Sequence, residues 1–516
     1  MRIFSEEQAQ SLDLQTAQYN VVNYSRVVES QSQQLQILFK QNQELQQMIL
    51  NQNEALFLTR EMLEQMKQVK FGRSSEKRPG DTPLFDAAAT ASAQEDAGND
   101  SKKKKRKGHG RRSHPDLPVV EVIYNLSPEE VTARGLKAFP GQYEVSEIIN
   151  FYPPRVVIEK SLRQKYLGAL TDEGEPTILT APGPLKLIEK SRYSMDFAIQ
   201  AGLDKYEFHL PLARQVKRLA ELGLKVSAQS LFDHIDLISW YLKKNVVELI
   251  RASILESKVI QSDETWWANL TDKKKFYLWA MTNEKAVGFV IYNSRSQESA
   301  ENFLDGFKGT LLTDGYQCYK SIKTAERLAN DWSHVRRKFV CAEKSYPLES
   351  KWVVDKIREL SRIEQEGLSP VELLEARQKR SKPIVDEFHE WLLNHKDQIL
   401  PSGSLGKAIA YTLNLWVGLN VFLSDPLVPM TTNLIERLQR DPVVGRKNHY
   451  GSKTLESAQV AANWYTVIGT CHMNDVSPRK YIQYALTEIL QKRQPVLPWD
   501  FKNLDLSFQD PFISAN

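Results

Sequence analysis

The sequence predicts an α/β protein, a sheet-bearing core set in an otherwise largely helical chain, and three observations lead to it. Four runs rich in β-branched and aromatic residues follow one another from residue 258, "KVIQSDETWW", "KKFYLWAMT", "AVGFVIYN" and "GTLLTDGYQCY", with turn residues between them. Helical periodicity takes over after the last run. Ahead of the block lie a heptad repeat free of Gly and Pro, and a helix, Gly-containing turn, helix pattern.

Composition narrows the class. With 516 residues, 41% hydrophobic and 26% charged, the chain can bury the cores of roughly two to four folded units. The 68 Lys and Arg against 64 Asp and Glu leave only +4, so charge must be read by its distribution. Cys318, Cys341 and Cys471 lie far apart and form no C-x-x-C pair, which excludes a disulfide framework and a thiolate zinc site and suits a reducing cytosol. The N-terminal "MRIFSEEQAQSLDL" lacks a basic region followed by an apolar one, so no signal peptide is expected. The longest uncharged run, "AIAYTLNLWVGLNVFLS", approaches membrane-span length but carries Thr412, Asn414 and Asn420. It reads as a buried helix, and no membrane partner is expected.

Residues 1–71 read as an N-terminal helical region. From Val28 to Met66 a heptad places Val28, Leu35, Asn42, Ile49, Leu56 and Leu63 at a, with Leu38, Leu45 and Met66 at d and weaker Gln52 and Thr59. An Asn at one a position fixes register and strand number, so the expected partner is a second copy, in a homodimer or higher homo-oligomer. The alternative is a single helix docked on its own chain.

Residues 72–118 read as a disordered basic linker. Its run "KKKKRKGHGRR" holds Lys102, Lys103, Lys104, Lys105, Arg106, Lys107, Arg111 and Arg112. Such a run binds a phosphate backbone through counterion release without reading sequence, and taken alone it equally suits a solubilising linker. Residues 119–200 form a small α+β or mostly β unit, with strand-like "PVVEVIYNL" and "RVVIEKSLRQKYL" around the turn-rich "TAPGPL". Residues 201–254 follow as a helix-turn-helix-like segment: Leu212, Val216 and Leu219 recur at helical spacing, Gly223 stops that helix, and Ser227 caps a second one carrying Leu231 and Ile235. A plain helical hairpin has the same pattern.

Residues 255–470 contain the strands, and 471–516 read as a C-terminal helix and tail. Three antiparallel strands, a later strand and then helices suit an RNase H-like core, where carboxylates at the carboxyl ends of neighbouring strands converge. Asp263 ends the first strand and Asp314 the fourth. Two-metal phosphoryl-transfer sites need such a cluster, because two divalent ions about 3.5–4 Å apart require anionic ligands. Adjacent strand residues point to opposite faces, so only one of Asp263 and Glu264 can enter the site. Asp-Gly is also a turn signal at Asp314. A third carboxylate, Glu436, stands three residues after Asn433, as in a capping box. Basic residues crowd round it, Arg437, Arg440, Arg446 and Lys447, and "HVRRKF" adds Arg336, Arg337 and Lys338, which together suit a phosphate-facing surface. His334 reads as a packed helix histidine near the site, and Trp266 and Trp267 as packing residues.

The ordered segments, "FGRSSEK", "GHGRRSHPDLPVVEVIYNL", "KYEFHLPLARQVKRLAELGLKVSAQSLFDHI", "SDETWW", "TDGYQCY", "WSHVRRKF", "SLGKAIAYTLNLW", "NLIERLQRDPVVGRKNHYGS" and "MNDVSPRKYIQYAL", span most of the chain. Together they resemble the DDE transposases of the IS66 group, the large TnpC-type protein of bacterial insertion sequences. The resemblance implies that Asp263, Asp314 and Glu436 form the acidic triad holding two magnesium or manganese ions. It implies a cytoplasmic, nucleoid-associated enzyme that binds the inverted repeats of its element and catalyses DNA cleavage and strand transfer. Its partners would be double-stranded DNA at element ends and target, and small accessory proteins of the same element. Arg336, Arg337, Arg437, Arg446 and Lys447 are the candidate phosphate contacts near the triad.

Asp314 lies 51 residues after Asp263, and Glu436 lies a further 122 on, so about 343–425 is expected as a helical insertion. Two departures stand out. The family's cysteine cluster after "VEVIYNL" is absent, so no zinc is expected, and Asp331 replaces the usual Cys before "WSHVRRKF". An RNase H-like resolvase or a non-catalytic DNA-binding relative are the alternatives.

Overall fold

A computed structural model describes residues 14–71, 128–133, 155–170, 176–189, 191–272 and 274–504. The basic run from Lys102 to Arg112, the linker 72–118 and the strand expected at "PVVEVIYNL" lie outside the described residues.

The first helix, α1 (Leu14–Phe71), runs unbroken for 58 residues, as a stretch without Gly or Pro allows. Its heptad residues Val28, Leu35, Leu38, Leu45, Ile49, Leu56 and Leu63 are all exposed in the single chain. A different face docks. The Glu61 carboxylate is buried and accepts the Ser404 N–H at 2.9 Å and 3.0 Å, Ser402 donates to Glu54 at 3.3 Å, and the Phe57 ring meets Tyr346 edge-on at 5.9 Å.

In the small unit the structure shows a short helix α2 (Pro128–Ala133) and an antiparallel pair, β1 (Lys165–Leu170) and β2 (Pro176–Thr180). "RVVIEKSLRQKYL" therefore becomes a strand only at Lys165. Val157 and Ile158 are exposed, and alternation without a face to bury gives no strand.

The helices α3 (Met195–Tyr206), α4 (Leu212–Glu221), α5 (Ala228–Leu242) and α6 (Glu248–Leu255) lead into the sheet. Gly223 takes φ +88° after α4, and the Ser227 side chain caps α5 by accepting the Ser230 N–H. The hairpin is present, but α5 is packed inward. Leu231, Ile235 and Ile238 are fully buried, and Trp464 donates to the Ile235 carbonyl at 3.1 Å. Its exposed side carries Asp233, Asp236 and Trp240 and no Lys or Arg, a surface that repels phosphate. The inward face of α5 thus serves packing, while exposed Arg214 and Lys217 lie on α4.

Five strands form a mixed sheet: β3 (Val259–Trp267), β4 (Phe276–Thr282), β5 (Val287–Tyr292), β6 (Thr310–Thr313) and β7 (Arg327–Asn330), in the order β5-β4-β3-β6-β7. The first three pair antiparallel, while β6 runs parallel to β3 and β7 parallel to β6. The sequence indicated four strands. β7, four residues of "RLAN", is too short for its period to be read, and it exists because β6 offers a ladder. Between β5 and β6 lies α7 (Gln297–Phe303).

The insertion begins after α8 (Trp332–Ala342) and contains α9 (Pro347–Glu364), α10 (Pro370–Ala376), α11 (Lys382–Lys396), α12 (Ser404–Asn414), α13 (Trp416–Leu419) and α14 (Val421–Ser424). It builds a second core around Trp332, Phe339, Ile357, Phe388 and Leu405. The long uncharged run is three short helices rather than one buried helix. The breaks fall at Leu415 and Asn420, the buried Arg377 guanidinium donates to the Phe422 and Asp425 carbonyls at the end of the run at 2.7 Å and 2.8 Å, a Cβ on Gly418 would meet Asn330, and Val417 is 86% exposed. Among the described residues no helix is long and apolar enough to cross a membrane.

The chain then returns through α15 (Asn433–Leu438) and α16 (Arg440–His449) to α17 (Leu455–Met473), α18 (Pro478–Leu490) and α19 (Pro498–Phe501). α17 lies along the edge strand β5, whose N–H groups at Phe289 and Val287 donate to Thr466 and Thr470 at 2.9 Å and 3.2 Å. A strand edge is thereby closed by helix hydroxyls.

Candidate active site

Asp263 lies within β3, and Asp314 directly follows β6. The parallel register pairs Val259 with Thr310, Ile260 with Leu311 and Gln261 with Leu312, each pair 51 positions apart. Asp263 and Asp314 have the same separation, so they stand two residues further along adjacent strands, at the same level. Their proximity is felt electrostatically: burial first, then the charges of Glu264 and Asp314, push the Asp263 carboxyl up to about 7. A hydrogen bond from the Glu264 N–H, 2.9 Å from Asp263 Oδ1, and the charge of His334 act against that rise.

Glu264 has another role. Its buried carboxylate pairs with Arg295, whose Nε donates at 2.6 Å, and accepts the Tyr319 hydroxyl. Burial raises its pKa despite these two partners. The Arg295 guanidinium in turn stacks 3.7 Å from the centre of the Tyr316 ring. Of the adjacent carboxylates, Glu264 has its partners within the fold.

At Asp314 the turn is present. Oδ1 accepts the Tyr316 N–H at 2.8 Å, and Gly315 takes φ +84° where a Cβ would stand 2.7 Å from Leu415. The Tyr411 hydroxyl of α12 donates to the Asp314 carbonyl at 2.6 Å, tying the turn to the insertion.

The capping-box reading of Glu436 is corrected. The N-cap of α15 is Thr432, with no side-chain cap bond, and Asn433 is already helical. The Glu436 carboxylate instead meets Arg337 Nη2 at 3.2 Å and lies 3.8 Å from His334 Nε2. One residue earlier, the Ile435 N–H donates to the buried Gln261 Oε1 at 3.2 Å, which ties α15 to β3.

In the sequence Asp331 stands out only as a replacement for Cys. It caps α8 by accepting the Ser333 N–H at 2.7 Å, and it also accepts His334 Nδ1 at 2.6 Å and the Thr432 hydroxyl at 2.8 Å. Burial alone would raise its carboxyl, but the His334 and Ser333 bonds hold it below the ordinary carboxylate range. Conversely, burial disfavours charged His334, and Asp331 outweighs that to raise the imidazole pKa. Ligand atoms of Asp331, His334 and Glu436 lie within 4.8 Å of one another. An Asp before a helix start is a sequence signal for the cap, though not for these longer ties.

The basic candidates divide by burial. Arg336 is buried in α8, and Arg446 is 5% exposed, so neither stands on a phosphate-facing surface. Arg446 stacks 3.8 Å from the Trp266 ring centre and donates to the Trp266 carbonyl and, at 3.3 Å, to Thr265 Oγ1. That stacking needs Trp266 half-exposed, whereas Trp267 is fully buried with its N–H on Ser452 at 3.1 Å. Arg337 is partly exposed beside Glu436, while Arg437 and Lys447 are exposed.

A family model described as "Transposase IS66 family" matches residues 190–460, and one described as "Transposase C of IS166 homeodomain" matches residues 59–122. Among similar proteins of Sinorhizobium fredii (strain NBRC 101917 / NGR234), "Uncharacterized protein y4jD" is 28% identical over 387 residues, covering 69% of this chain and 75% of the relative. "Uncharacterized protein y4hP" is 26% identical over 437 residues, covering 77% and 78%.

Proposed function

The chain belongs to the IS66 transposase family, and on that premise we propose that it binds the inverted ends of an insertion sequence, cleaves them and joins them to target DNA at a site built from Asp263, Asp314 and Glu436. The observation that carries the reading is the level placement of Asp263 and Asp314 on adjacent parallel strands, with the helix of Glu436 tied to the same strand by Gln261. The RNase H-like reading of the core is supported by the order β5-β4-β3-β6-β7, with three antiparallel strands followed by two parallel ones.

Carboxylates are the donor type that divalent cations take. Asp263 is held at about 7 because burial and neighbouring carboxylates leave its charge uncompensated, a condition that a cation relieves. Asp263, Asp314 and Glu436 would hold two magnesium or manganese ions, which would supply Lewis-acid activation of water and of the leaving 3′ oxygen. The chain's own groups do the rest. Arg337 neutralises Glu436 from the solvent side, Arg295 removes the charge of Glu264 from the pocket, and exposed Arg437 and Lys447 offer phosphate contacts. The cleaved 3′ hydroxyl is the nucleophile for strand transfer, so no covalent protein intermediate is required. The exposed heptad face of α1 supports pairing with a second copy, and the run Lys102 to Arg112 supplies sequence-independent attraction to DNA.

Purified protein incubated with magnesium and labelled element ends tests the reading. Nicking or joining of those ends supports it. Binding without chemistry identifies a non-catalytic relative, and cutting of branched DNA without preference for the ends identifies a resolvase.

A further inference from the structure

Glu436 stands on a helix of six residues whose N-cap side chain makes no cap bond. So short a helix has little stability of its own, and its placement has to come from outside. Three ties supply it. The Ile435 N–H bonds Gln261 at 3.2 Å, the Trp332 N–H bonds the Met430 carbonyl at 3.2 Å, and the Thr432 hydroxyl bonds Asp331 Oδ2 at 2.8 Å.

Asp331 belongs to two of these structures at once. It holds Thr432, four residues before Glu436, and it holds Nδ1 of His334, whose opposite nitrogen faces the Glu436 carboxylate at 3.8 Å. Arg337, one helical turn on, approaches His334 Nε2 at 3.1 Å and Glu436 at 3.2 Å. The Asp331 side chain is fully buried, and its two oxygens already receive the Ser333 N–H, the Ser333 hydroxyl, the Thr432 hydroxyl and His334. Three of these four bonds fall on Oδ2, which is thereby held between α8 and the turn before α15.

We propose that Asp331 and His334 are positioning residues for Glu436: Asp331 fixes the turn that carries the carboxylate and the imidazole that faces it, so that Glu436 is presented to the ions in one orientation. The proposal rests on the reading of Glu436 as a metal ligand. Supporting partners of ligands are worth about 10–100-fold in metal affinity or activity.

The test uses the full-length protein, with manganese binding followed by calorimetry and folding by thermal denaturation. In His334→Asn the amide can take the place of Nδ1 on Asp331 but cannot reach Glu436. In His334→Gln the amide can reach the place of Nε2. The expected result is manganese affinity lower by about 10–100-fold in the Asn variant, partial rescue in the Gln variant, and melting temperatures close to wild type in both. Wild-type affinity in the Asn variant overturns the proposal. Equal losses of affinity and melting temperature in both variants also overturn it, because they mark a plain packing role. Wild-type protein that binds no manganese removes the reading of Glu436 as a ligand, and the proposal with it.

Discussion

Gln261 Oε1 accepts the Ile435 N–H at 3.2 Å across 174 positions of sequence, a bond that ties the strand of Asp263 to the helix of Glu436. Gln261→Leu leaves that N–H buried without a partner, at a cost of about 1–3 kcal/mol. Cleavage by this variant is expected to slow by about 10-fold or more, since small displacements of catalytic groups cost at least that. Single-turnover rates beside a melting curve separate the two effects.

In the metal-free protein the contribution of Asp263 to stability should fall as pH rises. The folded-state pKa of Asp263 is raised from 3.8 to about 7, so the folded protein retains a proton that the unfolded chain has released. That contribution therefore falls as pH climbs through that window. Asp263→Asn has no proton to lose. In EDTA its melting temperature should exceed that of wild type at pH 8, with the gap closing towards pH 4. A gap independent of pH would contradict the burial and charge assigned to Asp263.

Two neighbouring cations should behave oppositely. Arg446→Ala removes a buried guanidinium stacked on Trp266 and bonded to Thr265, so melting temperature should fall. Lys447→Ala touches an exposed group. Its melting temperature should hold, while DNA affinity weakens and the salt dependence of binding loses about one counterion.

The faces of α1 make separable contributions. Glu61→Ala removes the carboxylate from the first turn of α12 and should cost about 1 kcal/mol. Leu38→Asp with Leu45→Asp alters residues already exposed in the single chain. The fold should persist while light scattering shows a monomer, and an unchanged oligomer would place the self-association elsewhere.

The sheet, and the level placement of Asp263 and Asp314 on it, were legible because local pattern and tertiary fold agree there. β3, β4 and β5 carry long apolar and aromatic runs, and the 51-residue spacing of Asp263 and Asp314 turns out to be the register offset between β3 and β6. Elsewhere the deciding partner is remote. Asn433 looks like a cap until Asp331, 102 positions earlier, is seen to hold Thr432, and the helix starts one residue earlier, at Asn433 itself. Arg446 looks like a phosphate contact until Trp266 covers it. In each case a distant side chain overrides a local preference, which periodicity cannot reveal.

The most direct test of Asp263, Asp314 and Glu436 as one catalytic set is magnesium-dependent cleavage of labelled element ends by wild type and by Asp263→Asn, Asp314→Asn and Glu436→Gln, with end binding measured on the same preparations. Each variant should bind the ends and fail to cut them. Cleavage at the wild-type rate by any one of the three would contradict that residue's place in the site.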